Sequence, residues 1–288
     1  MKNLEAMKLR KLTILLLGII VSIFTLQGCM QDEEANLDSA DQAQEVELIE
    51  NSVLAENYSD DEVALADMAE FQARTGYNNR TSVCFMTTWD SDNRILIIDF
   101  GNGCVGPYGK ERKGKIIVSY ADEEGLFMSD RTIAFDNYFV NNVQITGEIV
   151  IERAVRNEDG NLQNTYTVTD YALTFSNEET FTINGNRIRE WIEGEGDNNP
   201  AAHKFEINGV LSGVSTRGVN WSQTILEPII VDFGCSTEGN MLRTSGSKEI
   251  KYSLRNRERS RLVEYGDGNC DNEYIVTIGN RVVTIQGE

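Results

Sequence analysis

From residue 82 onward, apolar and polar residues alternate with a period of two. Val143, Ile145, Gly147, Ile149 and Ile151 share one face, against Gln144, Thr146 and Glu148 on the other. Phe205, Ile207, Gly209 and Leu211 repeat the pattern against Lys204, Glu206 and Asn208, as do the stretches 248–254 and 274–278. Such alternation predicts antiparallel strands with one face buried and one wet. Turn signals such as Glu158-Asp159-Gly160-Asn161, Asn184-Gly185-Asn186 and Gly279-Asn280 divide the region into about a dozen strands. No segment of helical period and crossover length lies between them, which excludes a parallel α/β sheet. The fold class is therefore all-β, either an antiparallel β-sandwich or a long curled meander. Upstream the period differs. Ser59-Asp60-Asp61-Glu62 reads as a helix-capping box, with Val63, Leu65, Met68 and Phe71 behind it, and predicts one helix within 44–73.

The strand region repeats itself. Ile97-Ile98-Asp99-Phe100-Gly101-Asn102-Gly103-Cys104 is followed by the strand beginning at Gly114. Ile230-Val231-Asp232-Phe233-Gly234-Cys235 is followed by the strand beginning at Gly246, and Val263-Glu264-Tyr265-Gly266-Asp267-Gly268-Asn269-Cys270 is a third echo. Each joins a strand end to an acid, an aromatic, a glycine and a cysteine. This suggests two similar halves, 81–195 and 200–288, divided near Glu195-Gly196-Asp197-Asn198-Asn199-Pro200.

The N-terminus carries a different signal. Lys2, Lys8, Arg10 and Lys11 form a basic region before an apolar run of 15 residues, Leu12 to Leu26. A membrane-spanning helix needs about 20 residues, so the run suits an export signal. Leu26-Gln27-Gly28-Cys29 resembles the lipobox of bacterial lipoproteins. The resemblance implies cleavage after residue 28 and acylation of Cys29 with palmitate-type chains, which would anchor the chain stably in a membrane. Gln31-Asp32-Glu33-Glu34 looks like the surface-export signal of Bacteroidota lipoproteins, and reads equally as the start of an acidic linker.

Charge changes the picture downstream. The chain has 26 basic and 46 acidic residues, and residues 30–73 hold 14 acidic residues and no basic one. Such a tract is expected to be a solvated spacer, carrying a helix that docks on the β domain or stays free. The chain thus divides into 1–28, a signal peptide; 29–80, the lipidated cysteine and acidic spacer; and 81–288, the β domain. With no basic patch to release counterions, nucleic acid is not an expected partner.

Once Cys29 is assigned to lipid, Cys84, Cys104, Cys235 and Cys270 remain, and an exported chain pairs them by default. Three connectivities exist. Cys84–Cys104 and Cys235–Cys270 are favoured because each brackets one local group of strands, closing loops worth about 3–4 kcal/mol each.

The run 98–104, then Arg112-Lys113-Gly114-Lys115-Ile116, then Tyr265-Gly266-Asp267-Gly268-Asn269-Cys270-Asp271-Asn272, resembles a group of β-rich Bacteroidota lipoproteins over residues 80–288. The resemblance implies an exported β-rich protein and brings no activity or catalytic residue.

Candidate chemistry is sparse. Asp99-Phe100-Gly101 and Asp232-Phe233-Gly234 are strand-end turns rather than kinase motifs, because the other kinase motifs are missing. Asp267, Asn269 and Asp271 give oxygen ligands at alternate positions. A full calcium loop would need Gly at 272 and Glu at 278, where Asn272 and Ile278 stand, so neither calcium nor another cofactor is the main expectation. His203 is the one histidine, and it excludes zinc sites built on several imidazoles. Carboxylates such as Asp99, Asp232, Glu190, Glu193 and Glu195 are too abundant in an acidic chain to mark a catalytic pair. On Arg187-Ile188-Arg189-Glu190-Trp191-Ile192-Glu193, Ile188 and Ile192 share one face, and Trp191 shares the other with Arg187 and Arg189. A Trp on a polar face stacks a sugar or a partner side chain, or packs under its own arginines. The expected role is that of an outer-membrane lipoprotein, surface-exposed or facing the periplasm, and acting without catalysis as a binding or scaffold module for glycan or protein. A carboxylate-based glycoside hydrolase and a periplasmic carrier of an apolar ligand are the alternatives.

Overall fold

The computed structural model describes residues 39–75, 84–106, 109–122, 129–197, 200–238, 242–278 and 281–287. The expected signal segment, 1–28, and Cys29 lie outside the described residues. Asp41 to Glu288 forms one compact unit, so the acidic tract from Asp41 onward belongs to the same unit as the strands.

One helix, α1 (Ser39–Thr75), precedes all the strands. The first half of the sheet comprises β1 (Met86–Asp90), β2 (Ile95–Asp99), β3 (Cys104–Val105), β4 (Glu111–Tyr120), β5 (Arg131–Val140), β6 (Val143–Ile151), β7 (Val155–Arg156), β8 (Leu162–Thr174) and β9 (Thr180–Glu193). The second comprises β10 (Lys204–Val214), β11 (Asn220–Asp232), β12 (Arg243–Leu254), β13 (Arg257–Asp267), β14 (Glu273–Ile278) and β15 (Arg281–Gln286). All belong to one antiparallel sheet in which sequence neighbours pair; the two-residue strands β3 and β7 pair with β4 and β8 at its margin. Of the two expected architectures the molecule adopts the meander. It does not break near 195–200, because β9 and β10 pair across that region from Lys204↔Glu193 onward.

The alternation in the sequence is the alternation in the fold. Ile145, Ile149 and Ile151, and likewise Phe205, Ile207 and Leu211, point into the core. The repeated turns also match: Asp99 Oδ1 accepts from Gly101 N and Asp232 Oδ1 from Gly234 N, both at 2.8 Å, while Phe100 and Phe233 are buried behind them. Disulfides Cys84–Cys104 and Cys235–Cys270 close the two regions, with Cα separations of 5.9 and 5.2 Å.

Bulges bend the sheet. The registers of β4 with β5 and of β6 with β8 shift at Gly114 and Gly147. Both glycines have positive φ, and a Cβ would stand 2.0 Å from the Asn137 carbonyl oxygen or 2.4 Å from that of Asp170. Only glycine allows backbones to approach so closely, and each bulge adds local curvature.

The sheet curls around α1. Every residue from Ala55 to Ala66 is buried. At 3.6 residues per turn, that stretch exposes no side of the helix for about three turns. From Asp41 onward the acidic segment is therefore docked on the β domain, the first of the two expected alternatives, and is not solvated as its composition suggests. The helix expected within 44–73 is present and runs over Ser39–Thr75, but Ser59 does not cap it: Ser59 lies inside it and donates from Oγ to the Glu56 carbonyl at 2.9 Å. Composition misleads here because the cations that neutralise these acids are supplied by strands many residues away.

Candidate functional site

The contact between α1 and the inner wall of the sheet concentrates the protein's charged chemistry. Arginines and a lysine alternate along the strands with apolar residues and point inward, where helix acids meet them. On β13, Arg261 holds Glu45 through contacts of 2.9–3.2 Å. Asp61 takes Lys110 and Arg112, at the start of β4, and the Lys110 ammonium also lies 5.2 Å from the centre of the Tyr58 ring. Nearer the end of the helix, Asp67 binds Arg131 of β5 and Arg189 of β9, and Glu70 binds Arg131 at 3.2 Å and the Tyr120 hydroxyl at 2.9 Å.

Glu56 is the hub. Its carboxylate accepts from Arg187 of β9, from Arg243 of β12 at 2.6 Å and from Lys248 of β12 at 2.9 Å. Arg243 also reaches Asp60 at 2.5 Å, and the Tyr166 hydroxyl donates to Asp60 at 3.1 Å. Burial alone would push the Glu56 carboxyl up, but Arg187, Arg243 and Lys248 together outweigh it and hold the group at about 2. Arg131 and Arg189 likewise hold Asp67 below its ordinary value against the opposing effect of burial.

Glu62 behaves differently. Tyr171 donates to its Oε2 at 2.6 Å, and its Oε1 has no hydrogen-bond partner among the described residues. Burial, reinforced by the neighbouring Asp61 charge, pushes its carboxyl up to about 8. Glu62 is thus a neutral acid at neutral pH on the same helix as Glu56 and Asp67, which cations hold ionised.

The residues singled out in the sequence fall into this frame unevenly. Arg187, Arg189 and Trp191 share a face, as expected, but that face is the inner one. Trp191 is 8% exposed, while Ile188 and Ile192, the expected core face, are 41% and 37% exposed. Trp191 packs edge-on against His203 and tilted on Phe205, and its Nε1 donates to the Glu193 carbonyl at 2.7 Å. The Arg189 guanidinium lies 3.8 Å from the centre of the Phe205 ring. Trp191 therefore offers no open ring for a sugar, and the arginines beside it are engaged by helix acids. The reversal arises because this wall of the core is built to receive charge.

The remaining carboxylates serve turns and surface pairs. Glu190 accepts from Asn161 at 2.7 Å, Glu193 pairs with Lys204 at 3.0 Å and Glu195 with Arg156 at 2.6 Å. In the exposed loop after β13, the Asn269 amide donates to Asp267 at 2.7 Å, and Asp271 accepts from the Glu273 backbone at 3.1 Å. Among the described residues, no group of three or more His, Cys, Asp or Glu side chains is placed to hold a metal ion, and no helix is long and apolar enough to cross a membrane.

The sequence reading missed the ion network itself. Its trace was present: Glu45, Glu56, Asp60, Asp67 and Glu70 recur at helical spacing, and Arg187 and Arg261 stand between half-buried or exposed neighbours on their strands. Compared with protein families, curated proteins and solved structures, the chain shows no match.

Proposed function

We propose that the mature chain is an exported lipoprotein, anchored to the outer membrane through Cys29, that acts as a non-enzymatic binding or scaffold module for glycan or protein through the outer face of its sheet. One observation carries this reading: the concave side of the sheet is filled by α1, and its charged groups are engaged within the molecule. The convex side is what remains for a partner, and Ile188, Val210 and Leu226 lie exposed on the adjacent strands β9, β10 and β11. The same observation weighs against carriage of an apolar ligand, because the interior is occupied and lined with charge. A carboxylate hydrolase is disfavoured separately, because Asp99, Asp232, Glu190, Glu193 and Glu195 are taken by turns and surface pairs.

The test uses cells making the full chain and the purified mature protein. A clickable fatty acid should label the wild type but not Cys29→Ser. The purified protein should be retained on immobilised polysaccharides or envelope proteins without releasing sugar, and an Ile188→Glu, Val210→Glu variant should lose that retention. Label on the Cys29→Ser variant would contradict the anchor. Release of reducing sugar, or retention indifferent to the outer-face changes, would contradict the binding reading.

A further inference from the structure

The charges at the Glu56 hub do not balance. Two carboxylates, Glu56 and Asp60, face three cations, Arg187, Arg243 and Lys248. All five side chains are enclosed between α1 and the wall, where one surplus positive charge is costly. Lys248 is the cation that can lose its charge. Burial pushes its ammonium down to about 8, against the pull of Glu56, so a fraction is a neutral amine at neutral pH.

That amine has a carboxamide beside it. Gln223 on β11 and Lys248 on β12 are diagonal neighbours on the inner face, because Gln223 stands opposite Ile250 and Ile225 opposite Lys248. Lys248 Nζ lies 3.1 Å from Gln223 Oε1, 2.9 Å from Glu56 Oε2 and 3.4 Å from Ser52 Oγ. Lys248 is 0% exposed and Gln223 2%. The Tyr265 ring closes another side, its centre 5.9 Å from Nζ. An amine, an amide and a carboxylate are therefore held together where water is excluded.

We propose that Lys248 and Gln223 form an intramolecular isopeptide bond, with Glu56 as the proton carrier. The neutral Nζ attacks Gln223 Cδ, and a new N–C bond forms as the carbonyl electron pair moves to oxygen. Attack makes the nitrogen far more acidic than the free amine, and Glu56, its hydrogen-bond partner, relays the proton although its cations make it a weak base. Glu56 then gives the proton to the amide nitrogen Nε2. The carbonyl re-forms, the Cδ–Nε2 bond breaks, and ammonia leaves. The carboxylate is restored, and no oxidant, reductant or cofactor is consumed. Fixed proximity replaces the encounter that makes amine–amide exchange slow in solution. Enclosure keeps water from competing for the carbonyl. The product removes the surplus charge, leaves Glu56 and Asp60 facing Arg187 and Arg243, and ties β11 to β12 covalently.

The test is the mass of the purified, disulfide-reduced mature protein. With masses read against the mature sequence plus any lipid on Cys29, the wild type should be lighter by one ammonia, and a protease digest should contain a branched peptide joining the Gln223 and Lys248 segments. Lys248→Arg keeps a cation against Glu56 and cannot form the bond, so it should have its full mass and no branched peptide. A wild type of full sequence mass would overturn the proposal. So would an ammonia loss without the branched peptide, or one that persists in Lys248→Arg.

Discussion

Glu62 stands six positions after Glu56 on α1, and the same burial leaves them in opposite charge states. Three cations hold Glu56 ionised, whereas Glu62 has a tyrosine donor and lies beside Asp61. The consequence for stability follows from where each state binds its proton. The folded chain keeps the Glu62 proton up to about pH 8, while the unfolded chain releases it near 4.5. Between those values the folded state binds more protons, so this group lowers stability as pH rises. Glu56 and Asp67 act in the other direction: their carboxyls are held below their ordinary values, so the stability they confer is lost as pH falls below the usual carboxylate range. Glu62→Gln keeps an acceptor for Tyr171 and cannot ionise. It should flatten the decline between pH 4.5 and 8 and raise stability at pH 8 by on the order of 3 kcal/mol. Urea unfolding across that range checks this; an unchanged slope would show that Glu62 is ionised in the fold.

At the scale of elements, curvature depends on a few backbone positions. Gly147 sits at the bulge between β6 and β8, where a Cβ would meet the Asp170 backbone, whereas Gly160 turns with a similar positive φ into open space. Gly147→Ala should therefore cost about 3 kcal/mol, and Gly160→Ala about 1 kcal/mol, the cost of the left-handed conformation alone. Equal effects in thermal melts would mean that the bulge yields. The elements themselves were largely legible in the sequence. Strand alternation names the inward residues of β6 and β10, the repeated Asp-aromatic-Gly turns are real, and the cysteine spacing gives the observed pairing. What was not legible was α1's extent and the facing of β9. Both depend on long-range charge complementarity. A helix rich in acids looks solvated until Arg187, Arg243, Lys248 and Arg261 are brought around it, and a strand with arginines on one face looks wet on that face until the helix arrives.

At the scale of the whole molecule, the acidic segment is the centre of the domain rather than a tether to it. The inner wall carries cations from β4, β5, β9, β12 and β13, and without α1 these would face one another across the curl. Leaving such charges unpaired costs several kcal/mol for each buried ion, so neither partner is stable in this arrangement without the other. Helix and sheet should then unfold as one cooperative unit. A domain closed in this way keeps its outer surface for partners, in line with the role proposed for it.

Hydrogen exchange read by mass spectrometry on the purified protein tests this account most directly. Amides of residues 45–70 should exchange as slowly as those of β9 and β12, through the same global opening. Fast exchange over 45–70, with the strands still protected, would show that the acidic segment is a solvated spacer and would contradict the enclosed helix on which the account rests.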